Sequence, residues 1–318
     1  MVDQSLTLKE YPIDPNAETV PVISKREEGE LRLGGAIIAP VFFYMSDLHL
    51  DDKIRAEGAN TDDISLVKFI DQTVEWIYRE TFESSSGNNI CSELGRTVLI
   101  GGDVSFDPHI VEIFLSKCTE LFEKTKIVYI LGNHELWNYT NGQLNPQKYS
   151  VEEIVDLYRE ICYDTGVIFL HNELLCLGHG PIAIITEDKL LTLSSTELIT
   201  MTAPYVAFIL GGLGFSGKND EFNATHGIYR NTLAERESDQ MQSERFDKLY
   251  EKLLNTFSTD PRFIVFTHNP PRDWHRGGLN HNWTFIHGHT HRNTLKTKDP
   301  DTIIANNQWG YQDICYKM

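Results

Sequence analysis

Five short polar motifs in the sequence contain side chains that commonly bind metal ions, and each motif follows an apolar run. The motifs are DLH at 47–49, GGD at 101–103, GNHE at 132–135, THN at 267–269 and GHTH at 288–291. Together they supply carboxylates, imidazoles and one amide, a ligand set that suits Mn, Fe or Zn. No cysteine belongs to these motifs, which argues against an iron–sulfur cluster or a Cu(I) site. The pattern therefore predicts a site for divalent or iron-type metal ions.

The apolar runs before the motifs are short and rich in Val, Ile, Phe and Tyr, as β-strands are. They cover 41–45, 97–100, 126–131, 263–267 and 283–286. In the first half of the chain, helical patterns near 62–81, 108–123 and 149–163 alternate with them. This alternation predicts an α/β fold with a largely parallel sheet. The carboxyl ends of strands in such sheets are where loops converge on a ligand.

The second half of the chain has a different pattern. Short apolar runs between 167 and 210 are joined by turn residues, and we predict mixed or antiparallel sheet there, with no helix between the runs. An acidic amphipathic helix is expected near 235–256. Residues 1–36 are polar and lack a sustained period, so we expect an N-terminal extension and a main domain over 37–318.

Taken in order, DxH, GD, GNH followed by an acid, H and GHxH resemble the motifs of the calcineurin-like metallophosphoesterase superfamily. The resemblance spans about 41–291, most of the chain. It implies an α/β sandwich of two mixed β-sheets flanked by α-helices, with a centre for two ions of Mn, Fe or Zn. The implied ligands of the first ion are Asp47, His49, Asp103 and His291, and those of the second are Asp103, Asn133, His268 and His289.

The resemblance further implies hydrolysis of a phosphate ester. A hydroxide between the two ions, its pKa lowered by them, would attack phosphorus in line, and Asp103 would bridge the ions. His134 would lie over the ions and protonate the leaving oxygen or stabilise phosphoryl charge. We expect the substrate to be a phosphodiester of a small-molecule or nucleotide type. A phosphomonoesterase and an inactive metal-binding scaffold are the alternatives.

One segment departs from the protein phosphatases of this superfamily. Their GDxVDRG becomes GGDVSFDPH at 101–109, which lacks the arginine that contacts phosphate in that branch and the acid that orients its catalytic histidine. Asp107 could replace the missing acid and orient His134. A helix N-cap before Pro108 explains Asp107 at least as well, and we favour the cap.

Several residues near the motifs are weaker candidates for contacts with the substrate. They are Trp137, Tyr139, His226 and Arg230, together with the aromatic residues Phe106 and Trp283. Packing in the core or at the rim is the simpler interpretation of the aromatic residues. GLGFSG at 212–217 matches GxGxxG, but no amphipathic helix follows it directly, so we expect a tight loop near the metal centre rather than a dinucleotide site. His287 alternates with His289 and is expected to point into the sheet.

The composition of the chain limits the kinds of partner and compartment that we expect. Among 318 residues, 46 are acidic and 28 are Lys or Arg, which gives a formal charge of -18. A surface of this sign repels polyanions, so long duplex nucleic acid is an unlikely substrate. The five cysteines form no CxxC pair, and no apolar run reaches the roughly 20 residues that a membrane span needs. We expect a cytoplasmic protein that does not associate with membranes, and the oligomeric state stays open.

Overall fold

The structure is a computed structural model. It describes residues 41–56, 63–79, 96–123, 125–137, 139–140, 143–144, 149–178, 181–217, 233–291, 294–296, 302–305 and 307–310. The expected N-terminal extension, residues 1–36, lies outside this part of the chain.

Strands and helices are numbered in chain order. The strands are β1 Val41–Met45, β2 Arg96–Ile100, β3 Lys126–Tyr129, β4 Tyr139–Thr140, β5 Gln143–Leu144, β6 Ile168–Phe169, β7 Glu173–Leu177, β8 Ala183–Ile185, β9 Ala207–Gly212, β10 Phe263–Thr267, β11 Thr284–His287, β12 Thr294–Lys296 and β13 Thr302–Ala305. The helices are α1 Leu50–Ala56, α2 Asp63–Tyr78, α3 Pro108–Leu121, α4 Val151–Thr165, α5 Glu187–Thr192, α6 Ser195–Thr202, α7 Leu233–Phe257 and α8 Pro271–Trp274.

The first sheet is parallel, as the alternation of strands and helices predicted. Its strands lie in the order β1, β2, β3, β6. Met45 pairs with Ile100 and Ile100 pairs with Tyr129, so the first three strands end at nearly the same level. Because the strands are parallel and in this register, the three motifs that follow them begin side by side.

The second sheet is mixed, as expected for the second half of the chain. Its order is β12, β13, β11, β10, β9, β7, β8. Strands β9, β10, β11 and β13 are parallel, whereas β7, β8 and β12 each run antiparallel to a neighbour. Since β10 and β11 are adjacent and parallel, the THN and GHTH motifs also leave the sheet at one edge.

The two sheets pack face to face as a sandwich, because alternate side chains of each sheet point into a shared apolar layer. On β2, Val98 and Ile100 pack with the apolar side chains of α2, α3 and α4, whereas Leu99 points to the opposite face. There Leu99 lies in a buried layer with Ile209 of β9 and Ile264 of β10. This layer contains residues of both sheets, so it fixes the carboxyl edge of one sheet relative to that of the other.

One expectation for the second half is wrong. No helix was predicted between 167 and 210, but α5 and α6 lie there, between β8 and β9. Ser194 and Glu197 form a capping box at the start of α6, with both reciprocal hydrogen bonds present. The S-x-x-E signature was visible in the sequence. The short apolar runs on either side are typical of strands, so sheet alone was predicted there.

The helix predicted near 149–163 is present as α4, and the interpretation of Asp107 as a helix N-cap is confirmed. Ser150 and Glu153 form a capping box at the start of α4. Asp107 is the N-cap of α3, and its carboxylate accepts a hydrogen bond from the backbone N–H of His109 at 3.0 Å. None of the helices in the described part of the chain combines the length and apolar character that a bilayer crossing requires.

Candidate metal centre

The five motifs come together where the two sheets meet. Loops after β1, β2 and β3 bring Asp47, His49, Asp103 and Asn133 to the site, and loops after β10 and β11 bring His268, His289 and His291. Five of these seven residues are buried, whereas His289 and His291 are partly exposed, with the side chain of His291 at 27%. The site therefore has an outer side at His291 and a buried inner side.

Four of these residues form a first group: Asp47, His49, Asp103 and His291. Nε2 of His49 lies 3.0 Å from Nε2 of His291. Oδ1 of Asp47 lies 3.3 Å from Nε2 of His291, and Oδ2 of Asp103 lies 4.0 Å from Nε2 of His49. Each member thus directs one potential ligand atom toward a common point.

A second group shares Asp103 with the first and adds His268 and His289. Nε2 of His268 lies 3.4 Å from Oδ2 of Asp103 and 3.2 Å from Nδ1 of His289. The side-chain oxygen of Asn133 lies 3.0 Å from the same His268 nitrogen. Asp103 therefore stands between two clusters of nitrogen and oxygen atoms.

These distances fit coordination by metal ions. Nitrogen and oxygen ligands bound at about 2.1 Å around one ion lie roughly 3 to 3.5 Å from each other. The closest contacts within the two groups, 3.0 to 3.4 Å, fall in that range. A carboxylate shared by both groups is the donor that suits a pair of dications. The buried Asp and His groups can hold metal ions, and the donor set is compatible with two.

The backbone at these positions is unusual. Seven described residues other than glycine have a positive φ, and five of them are predicted ligands: Asp47, His49, Asp103, His289 and His291. Such conformations cost about 1 to 3 kcal/mol each and persist where the surroundings enforce them. This strain is an indication of function that does not depend on any sequence resemblance.

Glu135, which sequence analysis did not single out, holds two of the loops together. Its carboxylate accepts backbone N–H groups of Asp103 at 3.0 Å, Val104 at 2.9 Å and Gly132 at 2.8 Å, and the hydroxyl of Tyr129 at 2.8 Å. Burial, and next the charge of Asp103, raises the pKa of Glu135 to about 7. In the sequence this acid is noted only as the last residue of GNHE and is given no role, because Asp103 and Val104 lie about 30 residues earlier on another loop.

Asp47 is held in a similar way. The hydroxyl of Tyr44 donates to Oγ of Ser46 at 2.7 Å, and Ser46 donates to Oδ2 of Asp47 at 2.5 Å. The Asp47 carboxylate also accepts the backbone N–H of His289, with its two oxygens at 3.0 and 3.1 Å. A ligand from the first sheet thereby fixes the loop that carries ligands from the second.

His268 is oriented by two other loops. Its Nδ1 lies 2.7 Å from the carbonyl oxygen of Gly101, which can only accept a hydrogen bond, so Nδ1 carries the proton and Nε2 faces the site. Its backbone N–H donates to the carbonyl of Leu213 at 3.1 Å. Leu213 belongs to the GLGFSG segment, so the expected tight loop near the metal centre is confirmed.

His134 lies beside both groups and belongs to neither. Its backbone N–H donates to Oδ1 of Asp103 at 2.9 Å, and its Nε2 lies 3.9 Å from Oδ2 of that residue. The imidazole stacks on the indole of Trp137, with 3.7 Å between ring centroids and 26° between planes. Trp137 therefore supports His134 on one face.

The structure places the weaker candidates for substrate contact in different surroundings. Trp283 is only 1% exposed and stacks on Phe263 inside the core of the second sheet, so the simpler interpretation of this residue, packing in the core, is confirmed. Phe106 is buried as well, with the Arg55 guanidinium over its ring. The side chain of Tyr139, and His226 and Arg230 as a whole, lie outside the described residues. His287 is buried and belongs to neither group, as expected.

Burial and charge oppose each other at the centre. Burial alone would raise the pKa of Asp103, but His268 and the other nearby histidines hold it well below its usual value. Burial lowers the pKa of His49 and of His289 to about 3, so both are neutral at pH 7. Burial also acts on His268, but the carboxylate of Asp103 raises its pKa to about 9. In the metal-free chain, His268 therefore supplies positive charge beside Asp103.

Comparisons with known proteins give one similarity. No family model matches the chain, and no curated protein matches it. The crystal structure of the phosphopantetheinyl hydrolase PptH from Mycobacterium tuberculosis is similar, with 15% sequence identity over 86% of this chain and 90% of that chain, at a TM-score of 0.44. At this identity and score, the similarity carries no argument about what the chain does.

Substitution of Gly102 should lower the free energy of unfolding more than substitution of the matched glycine, Gly166. Both Gly102 and Gly166 have a positive φ, but a Cβ atom on Gly102 would lie 2.2 Å from the backbone nitrogen of Gly132, whereas one on Gly166 meets nothing within 4 Å. Gly166→Ala should cost about 1 to 2 kcal/mol of unfolding free energy through φ alone. Gly102→Ala should cost a further ~1 to 3 kcal/mol from overpacking. Urea unfolding of metal-free protein measures both, and equal losses would contradict the proposed crowding.

Metal affinity should fall as the pH falls. His268 must lose a proton to bind a metal ion, and its pKa of about 9 means that it is protonated at pH 7 in the metal-free chain. Binding of Mn²⁺ at pH 7 should therefore release about one proton per chain at this residue, since His49 and His289 are already neutral. Calorimetry in buffers of different ionisation enthalpy counts the protons. An affinity that stays constant between pH 6.5 and pH 8.5 would contradict this assignment.

Proposed function

We propose that the chain is a dimetal phosphoesterase of the calcineurin-like metallophosphoesterase superfamily, with residues 37–318 as its domain and two ions of Mn, Fe or Zn. The observation that carries the proposal is the position of Asp103, a fully buried carboxylate shared by two groups of ligand-type atoms. The motif order in the sequence and the five positive-φ ligand positions support it independently.

In this proposal the two groups have distinct members. Asp47, His49 and His291 would hold the first ion, Asn133, His268 and His289 would hold the second, and Asp103, which belongs to both groups, would serve both. When bound, two such ions supply an activated water and neutralise charge on phosphoryl oxygens. The contribution of the chain is a rigid arrangement of ligands and the exclusion of bulk water, because five of these seven residues are buried.

His134 is the residue that we propose handles the proton of the leaving group. Its Nε2 points toward the shared carboxylate at 3.9 Å, so an ester oxygen held at the centre comes within reach of it. Burial lowers the pKa of His134 from its ordinary value. The stacked Trp137 and the backbone bond to Asp103 fix the ring, so the proton would be delivered at one atom, Nε2.

A phosphodiester suits this site better than a phosphomonoester. A monoester carries about 1.5 to 2 negative charges at pH 7, and a diester carries only one. Segment 101–107 holds Asp103 but contains no Lys or Arg, and Asp107 at its end caps α3 instead of orienting His134. The loop therefore provides no cation for a second negative charge, which favours the diester.

We propose a small-molecule or nucleotide-type substrate and a cytoplasmic location. The formal charge of -18 disfavours long duplex nucleic acid. Within the described residues, Cys118 and Cys176 are free and buried, as suits a reducing compartment.

Hydrolysis of bis(p-nitrophenyl) phosphate and p-nitrophenyl phosphate, compared with added Mn²⁺, tests the proposal. The diester should be cleaved faster, and Asp103→Asn should lower the rate at least about 100-fold. Loss of a residue that only hydrogen-bonds to a metal ligand often lowers activity about 10- to 100-fold, and Asp103 is a proposed ligand itself. Asp107→Asn is the matched control. It makes the same chemical change four positions away, and asparagine also caps helices well, so activity should be retained.

The outcomes separate the alternatives. Turnover of the monoester alone would identify a phosphomonoesterase. If wild-type protein binds two metal ions but cleaves neither ester nor any of a panel of cyclic and linear nucleotides, the chain is a metal-binding scaffold. Binding of fewer than one ion per chain after Mn²⁺ reconstitution would refute the dimetal centre.

A further inference from the structure

A short segment near the end of the chain, residues 307–310, lies against the first metal group. It begins 16 residues after His291, the last residue of the motifs. Gln308 is fully buried, Trp309 is 6% exposed, and Ser46 and Gln308 form a parallel β-bridge. The segment thereby extends the first sheet beyond its edge strand β1, at the point where β1 leads into Asp47.

Backbone hydrogen bonds join this segment to the DLH motif. The N–H of Ser46 donates to the carbonyl of Asn307 at 3.3 Å, and the N–H of Trp309 donates to the carbonyl of Ser46 at 3.0 Å. The N–H of Gly310 donates to the carbonyl of Asp47 at 2.8 Å. The positive-φ residue Asp47 is thus held from outside its own loop.

A buried lysine adds to the same connection. Nζ of Lys53, on α1, donates to the carbonyl oxygens of Leu48 and Gly310, the latter at 2.8 Å. Lys53 is only 4% exposed. Its ammonium group therefore links the turn between Asp47 and His49 to the terminal segment.

The side chain of Gln308 contacts the other motif of the first group. Its Oε1 accepts the backbone N–H of His291 at 2.8 Å and lies 3.2 Å from the hydroxyl of Thr290. Its Nε2 lies 3.1 Å from the same hydroxyl. Gln308 is therefore bonded to the DLH loop through its backbone neighbours and to the GHTH loop through its amide.

The segment itself is anchored in the core. The indole of Trp309 packs edge-on against that of Trp76 on α2, with 5.2 Å between ring centroids. Its Nε1 donates to the side-chain oxygen of Asn307 at 3.1 Å. Gln308 consequently stands on a fixed support, and its amide can determine where the backbone of His291 lies.

We infer that Gln308 is a positioning residue for the first metal ion, which rests on the proposed dimetal function. It joins the loops that carry Asp47 and His291, two ligands that come from different sheets. The contacts that orient His268 in the second group come from Gly101 and Leu213 instead. Loss of the Gln308 amide should therefore weaken the first ion and leave the second in place.

The test is a titration of full-length, metal-free protein with Mn²⁺, followed by calorimetry and by electron paramagnetic resonance. Wild type should bind two ions, and the paired ions should give a spin-coupled spectrum that differs from that of isolated ions. Gln308→Leu should weaken one of the two ions by about 10- to 100-fold and give isolated-ion spectra at intermediate Mn²⁺. Gln308→Glu keeps an oxygen acceptor for His291 N–H and should restore paired binding at least in part.

Gln242→Leu is the matched control. Gln242 is 1% exposed, and its amide bonds to Glu152 and Arg245, neither of which is a proposed ligand. The control makes the same change at an equally buried site and should bind both ions as wild type does. Equal weakening in Gln242→Leu and Gln308→Leu would show a general loss of stability and overturn the inference.

The remaining outcomes distinguish the inference from the function on which it rests. Failure of wild type to bind two ions refutes the dimetal function, and the inference falls with it. Two ions bound equally tightly in wild type and in Gln308→Leu overturn the inference alone. If circular dichroism shows that Gln308→Leu does not fold, Gln308→Asn decides. It keeps the amide but shortens its reach, so wild-type affinity for both ions in this variant would overturn the inference.

Discussion

The architecture depends on the burial of the Asp103 carboxylate among other ionisable side chains. Its carboxylate is 1% exposed, and Nε2 of His268, His134 and His49 lies 3.4, 3.9 and 4.0 Å from Oδ2. A second buried carboxylate, Asp47, interacts unfavourably with it. Burial of an ionised group costs several kcal/mol unless opposite charge and hydrogen bonds compensate. Metal ions provide that charge when bound, and histidine provides part of it otherwise. The rest of the fold keeps these groups from separating.

Two sheets are required because the ligands come from both. Strands β1, β2 and β3 end at one level, β10 and β11 end beside them, and the apolar layer that includes Leu99 and Ile264 fixes one sheet against the other. Within this frame, the Glu135 carboxylate joins the GGD and GNHE loops, and Asp47 joins DLH to GHTH. Strained φ angles at the ligand positions persist because each loop is held by another loop.

This rigidity is consistent with the chemistry that we propose. A phosphoryl group gains most from charges and donors that are already in place when it binds, since their reorganisation adds nothing to the barrier. His134 is stacked on Trp137 and bonded to Asp103, so it needs no large movement to reach a leaving oxygen. Gln308 extends the same principle beyond the motifs, because a fixed amide controls the backbone of an outer, partly exposed ligand.

The sequence by itself predicted the parallel first sheet, the helix near 149–163, the cap at Asp107 and the order of the candidate ligands, because local periodicity, capping chemistry and short motifs depend on neighbouring residues. It missed α5 and α6, because the apolar runs on either side of their capping box are typical of strands. Only the tertiary structure revealed the roles of Glu135 and Gln308. Their partners are contributed by segments distant in the chain, and in the case of Gln308 the partner lies 17 residues away and belongs to a different sheet edge. A hydrogen bond between residues far apart in the chain produces no periodic or local pattern in one sequence. Only the folded chain therefore shows which polar residues position the candidate ligands.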